Sequence, residues 1–246
     1  VKQCMIDAIV AAGYSVLDFS LEDSAELTAQ RYISRRTGIP YASLAGGLLD
    51  NAGLSRIDAA GLENEESSAR VYIIGNVPAT IEEAVRRSRE IGHRDPRLAC
   101  VFVDYIQLLD YSDTYMAHEG LSHICKIAQR AALIDKVGWV LLSQTRQEME
   151  SRDDKRPRLG DMYGSSGMKF MSKLAVATYR PAKYHPTPEP GPWLDLYQNH
   201  PDGPNLYRGA LELWVRKAFG AVGSCVKLHV DLPTGIMRVI DEHSMR

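Results

Sequence analysis

The sequence has few cysteines and no long apolar run. Its four cysteines, Cys4, Cys100, Cys125 and Cys225, include no pair close enough for a Cys-x-x-Cys motif. The spacing of the cysteines therefore makes a zinc site of that kind and a disulfide framework improbable, and a reducing cytosol fits the sequence best. No apolar run reaches the roughly 18 residues that a membrane-spanning helix needs. We expect a cytoplasmic protein with no membrane partner.

An excess of positive charge is also missing. The 246 residues carry a formal net charge of -2, and the isoelectric point is about 6.4. This balance excludes a strongly basic protein that coats nucleic acid. A protein that grips nucleic acid through a few local basic loops remains possible, because the local footprint matters more than the total charge.

Apolar runs alternate with helical patterns over the first 142 residues. We predict strands at 15–19, 71–74, 98–103 and 137–142, and helices at 1–12, 24–37, 80–91 and 121–135. The continuous apolar run from Leu98 to Val103 is typical of a strand that is buried on both faces. This alternation predicts an α/β fold with a mostly parallel central sheet flanked by helices.

The last third of the chain has a different pattern. Short strands joined by turns are predicted at 174–179, 211–215, 227–230 and 237–240, so we expect antiparallel strands at the C-terminal end. Residues 181–208 hold more than half of the twelve prolines, which predicts an exposed loop or insertion. We expect residues 1–246 to form one domain.

Three predicted strands end in polar residues that suit phosphate chemistry. Glu22 follows Phe19-Ser20-Leu21, Asp104 follows Val101-Phe102-Val103, and Gln144 follows Leu142-Ser143. Carboxylates can hold Mg²⁺ or orient water, and an amide can bond a phosphate oxygen without a change of protonation. Taken alone, Glu22 and Asp104 are better explained as ordinary acidic residues at strand ends.

The extended motifs are more specific. Asp104-Tyr105-Ile106-Gln107-Leu108 resembles the Asp-Tyr-Leu-Gln-Leu run of DnaB-type replicative DNA helicases, and Phe19-Ser20-Leu21-Glu22 resembles their Phe-Ser-Leu-Glu. That family has an Arg eight residues after its Ser-Gln, followed by Asp-Lys-Arg-Pro. Arg152 and Asp154-Lys155-Arg156-Pro157 match this pattern in residue type and spacing. The similarity extends over nearly the whole chain.

The resemblance implies a RecA-like P-loop NTPase core that uses ATP and Mg²⁺. Glu22 would polarise the attacking water, Asp104 would hold Mg²⁺, and Gln144 would sense the γ-phosphate. The implied function is that of a homohexameric motor that moves on single-stranded DNA and unwinds duplexes, with primase and a helicase loader as possible partners.

The chain departs from the family at the candidate cation that would contact the neighbouring subunit. Where the family has Lys-x-Arg-Asn-Gly, with an Arg that reaches the neighbouring subunit's phosphate, this chain has Arg216-Lys217-Ala218-Phe219-Gly220. Adjacent strand residues point to opposite faces, so only one of the two cations reaches across easily, and Arg216 is our choice over Lys217. The candidate DNA contacts are basic residues that could equally be ordinary surface charges; they are Arg152, Lys155, Arg156, Lys169 and Lys173, with Arg158 and Lys126 as weaker candidates.

No Gly-x-x-x-x-Gly-Lys-Ser/Thr loop, which would cradle phosphates, occurs in the sequence. In the family this loop immediately precedes the helix that leads to the Phe-Ser-Leu-Glu strand. We therefore expect it just upstream of Val1, absent from this chain through truncation, and we expect the fragment alone to be inactive. The alternatives are a RecA-, RadA- or KaiC-like ATPase without helicase activity, a degenerate scaffold that binds DNA, or an oligomerisation or loader-interaction module.

Overall fold

A computed structural model describes residues 1–62, 70–75, 79–112, 115–145, 147–162, 166–218 and 223–240. The chain divides into a first unit, Val1–Gln144 with Tyr163–Met171, and a second unit, Thr145–Met162 with Ser172–Arg246. The first unit holds a sheet of four parallel strands in the order β2-β1-β3-β4. These strands are β1 (Ser15–Ser20), β2 (Val71–Gly75), β3 (Leu98–Asp104) and β4 (Gly138–Leu141). The predicted parallel α/β core is confirmed.

The two central strands are almost wholly buried. Every residue of β1 is buried, and Val101, Phe102 and Val103 of β3 are fully buried. Ile6 of the first helix packs into the same core cluster as Phe102. A strand covered on both faces needs apolar residues at consecutive positions, which is the pattern that β3 carries.

Two helices of the first unit begin at capping residues that the sequence indicates. The Ser24 hydroxyl accepts a hydrogen bond from the Leu27 amide, and the Thr80 hydroxyl accepts one from the Glu83 amide. The helices are α1 (Lys2–Ala11), α2 (Ala25–Thr37), α3 (Tyr41–Ala45), α4 (Asn51–Leu62), α5 (Ile81–Arg94), α6 (Ala117–Asp135) and α7 (Ser166–Met171).

Helix α5 runs beyond its predicted end at Gly92. It continues to Arg94 and stops at Asp95, which is extended. Asp95 precedes Pro96, and a proline pushes the preceding residue out of the helical region. The proline therefore ends this helix, and the glycine lies within it.

The second unit holds a sheet of four antiparallel strands in the order β5-β6-β7-β8. They are β5 (Ala175–Tyr179), β6 (Ala210–Lys217), β7 (Cys225–Val230) and β8 (Met237–Val239). The predicted antiparallel strands are thus present, and they pair as a hydrogen-bonded sheet of their own.

Three short helices occupy the proline-rich segment for which the sequence predicted an exposed loop. They are α8 (Pro181–Tyr184), α9 (Pro192–Asn199) and α10 (Gly203–Arg208), and each has a proline in its first two positions. Proline is favoured there because the first helical amides have no partner within the helix. Trp193, Leu196 and Tyr207 of this segment are buried together with Ala210.

No helix in the described ranges combines the length and the apolar character that crossing a bilayer requires.

Candidate functional site

Three neighbouring strands bring Glu22, Asp104 and Gln144 to the same edge of the parallel sheet. Asp104 is the last residue of β3 and pairs in register with Ser20 at the end of β1, two residues before Glu22. On the other side β3 pairs with β4, which ends three residues before Gln144. All three residues therefore follow strands that end at the same edge of the sheet, and this carboxyl edge is where open α/β sheets bind ligands.

Backbone hydrogen bonds hold these strand ends together. The Leu21 amide donates to the Asp104 carbonyl at 2.9 Å, and the Leu142 amide donates to the Val103 carbonyl at 2.9 Å. The Ile106 amide then donates to the Leu142 carbonyl at 3.0 Å. The chain is therefore fixed on both sides of Asp104, while Glu22 and Gln144 themselves are exposed.

Lys2 is the residue that sequence reasoning missed. It is the first residue of α1, and its ammonium lies 2.8 Å from Asp104 Oδ2 and 3.0 Å from Asp18 Oδ2. Burial works against the charged form of Lys2, but the Asp18 and Asp104 carboxylates outweigh it and raise the pKa of this amine. Lys2 thus places a fixed positive charge against the carboxylate that was predicted to hold Mg²⁺.

Asp18 is the second residue that sequence reasoning missed. Its side chain is 1% exposed in the middle of β1, and both of its oxygens contact the Lys2 ammonium. Burial raises the pKa of Asp18, and Lys2 opposes that rise only in part. A visible signal existed, because Asp18 is the one charged residue in the otherwise uncharged run Ser15–Ser20.

Gln107 positions the backbone of the Ser143-Gln144 strand end. It lies in a 3-10 turn over Ile106–Leu108, and its side-chain amide donates to Ser143 Oγ at 2.8 Å. Its Oε1 accepts a hydrogen bond from the Gln144 amide at 3.4 Å. The Asp-Tyr-Ile-Gln run therefore supplies both the strand-end carboxylate and a brace for the neighbouring strand end.

The predicted DNA contacts divide into engaged and exposed residues. Arg152 pairs with Asp161 at 2.7 Å, and Arg156 pairs with the buried Glu212 at 2.8 Å. Lys155 donates to the Arg152 carbonyl at 2.9 Å. Arg158 is exposed, as are Lys173 and the weaker candidate Lys126, and Lys169 lies half-buried on α7.

The sequence matches the family described as the DnaB-like helicase C-terminal domain over residues 2–217. The chain belongs to this family. Replicative DNA helicase DnaB of Rickettsia bellii is 29% identical over 179 residues, which are 72% of this chain and 35% of the relative. The Helicobacter pylori protein of the same name is 29% identical over 163 residues, covering 66% of this chain and 33% of its own length. The chain thus spans about a third of the length of these relatives.

Solved structures agree in fold with this DnaB-like domain. The ATPase domain of G40P aligns with a TM-score of 0.82 at 19% identity, over 98% of this chain and 79% of that chain. A DnaB-like replicative helicase, described together with its interactions with primase, aligns with a TM-score of 0.79 at 19% identity, over 94% and 52%. The predicted RecA-like α/β fold is confirmed.

In this DnaB-like domain, the candidate inter-subunit cation Arg216 is anchored inside the second unit. Its Nε donates to the Pro157 carbonyl at 2.6 Å, and its guanidinium lies 4.6 Å from the centre of the Trp214 ring. Lys217 is the last residue of β6, next to Arg216. Residues 219–222, which include the Gly220 used to align this motif, lie outside the described residues.

The donor set at the strand tips fits Mg²⁺ bound together with a nucleotide. Asp104 is 30% exposed and already contacts a cationic group, the Lys2 ammonium. In the described part of the chain no group of three or more His, Cys, Asp and Glu residues could hold a metal ion. Mg²⁺ commonly binds one or two carboxylates and completes its shell with water and phosphate oxygens, so a single strand-end carboxylate suffices.

Proposed function

We propose that this chain is the ATP-hydrolysing motor domain of a DnaB-like replicative helicase. The hexamer that it would form couples ATP hydrolysis to translocation on single-stranded DNA and to duplex unwinding in the cytoplasm. The observation that carries the proposal is the arrangement at the sheet edge, where Glu22, Asp104 and Gln144 follow three adjacent strands and a lysine already faces the central carboxylate.

Each strand end then has one role. Asp104 would hold Mg²⁺, and bound Mg²⁺ would neutralise charge on the phosphate oxygens. Glu22 orients the attacking water and accepts its proton, and its exposure leaves both oxygens accessible. Gln144 contacts the γ-phosphate with its amide while Gln107 holds its backbone.

Lys2 is the cation best placed to contact phosphate oxygens. Its ammonium offers three N–H donors on a flexible stem, so it can exchange a carboxylate for a phosphate. It stands in the sequence Val1-Lys2-Gln3, which departs from the Gly-Lys-Ser/Thr pattern and offers no hydroxyl next to the lysine. We therefore assign Lys2 to charge neutralisation and leave Mg²⁺ to Asp104.

The remaining assignments concern DNA and neighbouring subunits. Arg158 is the exposed cation of residues 152–161, which we call the basic turn, and it suits a DNA phosphate, as do Lys169 and Lys173. Arg216, with Lys217 as the alternative, reaches the phosphate of the next subunit. Primase and a loader are the proposed protein partners.

Glu22→Gln in the complete natural protein tests the proposal. We expect hydrolysis to fall by about 10²–10⁴-fold, the usual contribution of a general base, while Mg²⁺-ATP binding is retained. The matched control is Glu26→Gln, because Glu26 is an exposed carboxylate four residues further on, in the first turn of α2. A Glu22→Gln protein that hydrolyses ATP at the wild-type rate would contradict the assignment.

A strand-displacement assay on a forked duplex separates the motor from other RecA-like ATPases. A helicase releases the displaced strand only with ATP and Mg²⁺, whereas a RecA- or KaiC-like ATPase or a scaffold does not. Nucleotide binding without strand release would favour those alternatives.

A further inference from the structure

The second unit contains a buried carboxylate to which the proposed mechanism assigns no role. Glu212 lies in β6 and is 2% exposed. Its Oε1 accepts hydrogen bonds from Trp193 Nε1 at 2.9 Å and from the Arg156 guanidinium at 3.3 Å. Its Oε2 accepts from Trp214 Nε1 at 2.8 Å and from Arg156 Nε at 2.8 Å. Four N–H donors thus converge on one carboxylate and fix its orientation.

Burial of Glu212 works against ionisation, but these donors hold its pKa below the ordinary value, with Arg156 contributing most. Arg156 is held from its face as well, since its guanidinium carbon lies 4.9 Å from the centre of the Tyr179 ring. The fork of two hydrogen bonds and the ring contact together define one position for this guanidinium.

A second contact joins the same two segments in the opposite direction. Arg156 extends from the basic turn to Glu212 of β6, and Arg216 extends from β6 to the carbonyl of Pro157 in the turn. The turn is also braced internally, because Asp161 pairs with Arg152 and accepts a hydrogen bond from the Arg158 amide at 2.7 Å. The turn and the strand are therefore clamped at two points.

We infer that Glu212 is a positioning residue that links the DNA-contacting turn to the inter-subunit cation Arg216. The inference rests on the proposed function, which assigns Arg158 to DNA and Arg216 to the neighbouring phosphate. A displacement of the turn on DNA binding moves the Pro157 carbonyl, and the Arg216 side chain moves with it. Glu212 fixes the position of the turn relative to β6 through its contacts with Arg156. Without Glu212 the turn shifts on β6, and the Arg216 side chain stays in place.

Glu212→Gln removes the charge and keeps the shape. The amide nitrogen must then face an indole or guanidinium N–H, so at least one donor loses its acceptor. Glu189→Gln is the matched control, because Glu189 lies 3.6 Å from the same guanidinium but is 53% exposed. Trp193→Phe is a milder second variant that removes one donor and retains most of the packing, should Glu212→Gln fail to fold.

Trypsin cleavage tests the positioning in this chain. Cleavage after Arg158 and Lys155 reports how often the turn opens, whereas the Arg156-Pro157 bond resists the enzyme. We expect cleavage about tenfold faster in Glu212→Gln, corresponding to about 1.4 kcal/mol, a smaller acceleration in Trp193→Phe, and a wild-type rate in Glu189→Gln. Equal rates in Glu212→Gln and wild type would overturn the inference.

ATP hydrolysis by the complete natural protein, with and without single-stranded DNA, tests the coupling. In Glu212→Gln we expect the DNA-stimulated kcat to fall about tenfold with KM for ATP within about twofold of wild type, because no nucleotide contact is removed. A merely structural role would lower the active fraction and leave the ratio of stimulated to basal rates unchanged.

Failure of the proposed function and failure of the coupling through Glu212 give different results. A wild-type protein without DNA-stimulated hydrolysis overturns the proposed function together with the coupling. A stimulated wild type whose ratio survives in Glu212→Gln overturns the coupling alone.

Discussion

Asp18 in the first unit and Glu212 in the second are both buried carboxylates in central strands, yet their pKa values shift in opposite directions. Asp18 meets one flexible ammonium, which it shares with Asp104, and its pKa is raised by burial. Glu212 meets a guanidinium fork and two indole N–H groups, and its pKa is lowered despite burial. The number and rigidity of the donors decide whether a buried carboxylate is stabilised as an anion.

This difference matches the proposed roles of two clusters. The strand-tip cluster is Lys2 with Asp18 and Asp104, and the second cluster is Glu212 with its donors Arg156, Trp193 and Trp214. An ammonium on a flexible stem can leave Asp18 and Asp104 for a phosphate, so the strand-tip cluster can rearrange. Planar donors fixed by packing hold Glu212 in one place, so the second cluster keeps the basic turn in a fixed position relative to β6. The two clusters should therefore respond differently to substitution and to pH.

The largest effect is expected for Glu212→Ala. This change leaves a half-buried guanidinium and two indole N–H groups without their acceptor, and we expect it to reduce the free energy of unfolding by about 4 kcal/mol. Urea denaturation followed by tryptophan fluorescence measures it, because Trp193 and Trp214 both contact Glu212. A loss below about 1 kcal/mol would show that the cluster adds little.

Lys2→Met should reduce the free energy of unfolding by less, about 3 kcal/mol, because the isolated Asp18 can take up a proton. The double variant Lys2→Met/Asp18→Asn should recover most of that loss, since no buried charge then lacks a partner. A double-mutant cycle of urea denaturation curves tests this. Failure of Asp18→Asn to rescue Lys2→Met would mean that Asp18 is not the residue that needs Lys2.

The pH dependence should have opposite signs at the two carboxylates. The folded-state pKa of Glu212 lies below its ordinary 4.5, so its stabilisation is present above pH 4.5 and lost as pH falls through the lower value. The stability difference between wild type and Glu212→Gln, about 2 kcal/mol at pH 7, should therefore shrink in acid.

For Asp18 the folded-state pKa lies above its ordinary 3.8, so its ionisation costs stability as pH rises from 3.8 through the raised value. Wild type should lose stability relative to Asp18→Asn over that window. Denaturation curves collected from pH 3 to pH 7 on the three proteins measure both slopes. If the stability difference from wild type changed with pH in the same direction for Glu212→Gln and Asp18→Asn, the contrast between the two clusters would be wrong.

The smallest effect is expected for Glu189→Gln. Glu189 is exposed and 3.6 Å from Arg156, and exposed pairs of this kind contribute about 0–1 kcal/mol. Its urea midpoint should match wild type within error. A loss comparable to that of Glu212→Gln would show that charge near Arg156 matters more than the convergent hydrogen bonds.

The sequence by itself determined the parallel core, the helix starts at Ser24 and Thr80, the strand-end positions of Glu22, Asp104 and Gln144, and the family. These features depend on neighbours in sequence: apolar runs, caps and motif spacing. It did not predict the helices over 181–208, where three prolines start helices and apolar residues between them meet only in the folded chain.

Tertiary structure alone decided the pairing of Lys2 with Asp18 and Asp104, and of Arg156 with Glu212. The partners in these pairs lie 16, 102 and 56 residues apart, and nothing in the local sequence around one partner specifies the other. Arg152 and Arg156 were predicted as DNA contacts because a basic turn looks exposed in sequence, but the half-buried Asp161 pairs with Arg152 and the buried Glu212 pairs with Arg156 in the fold. An ion pair depends on the distance between charges in space, which only the packed strands and turns define.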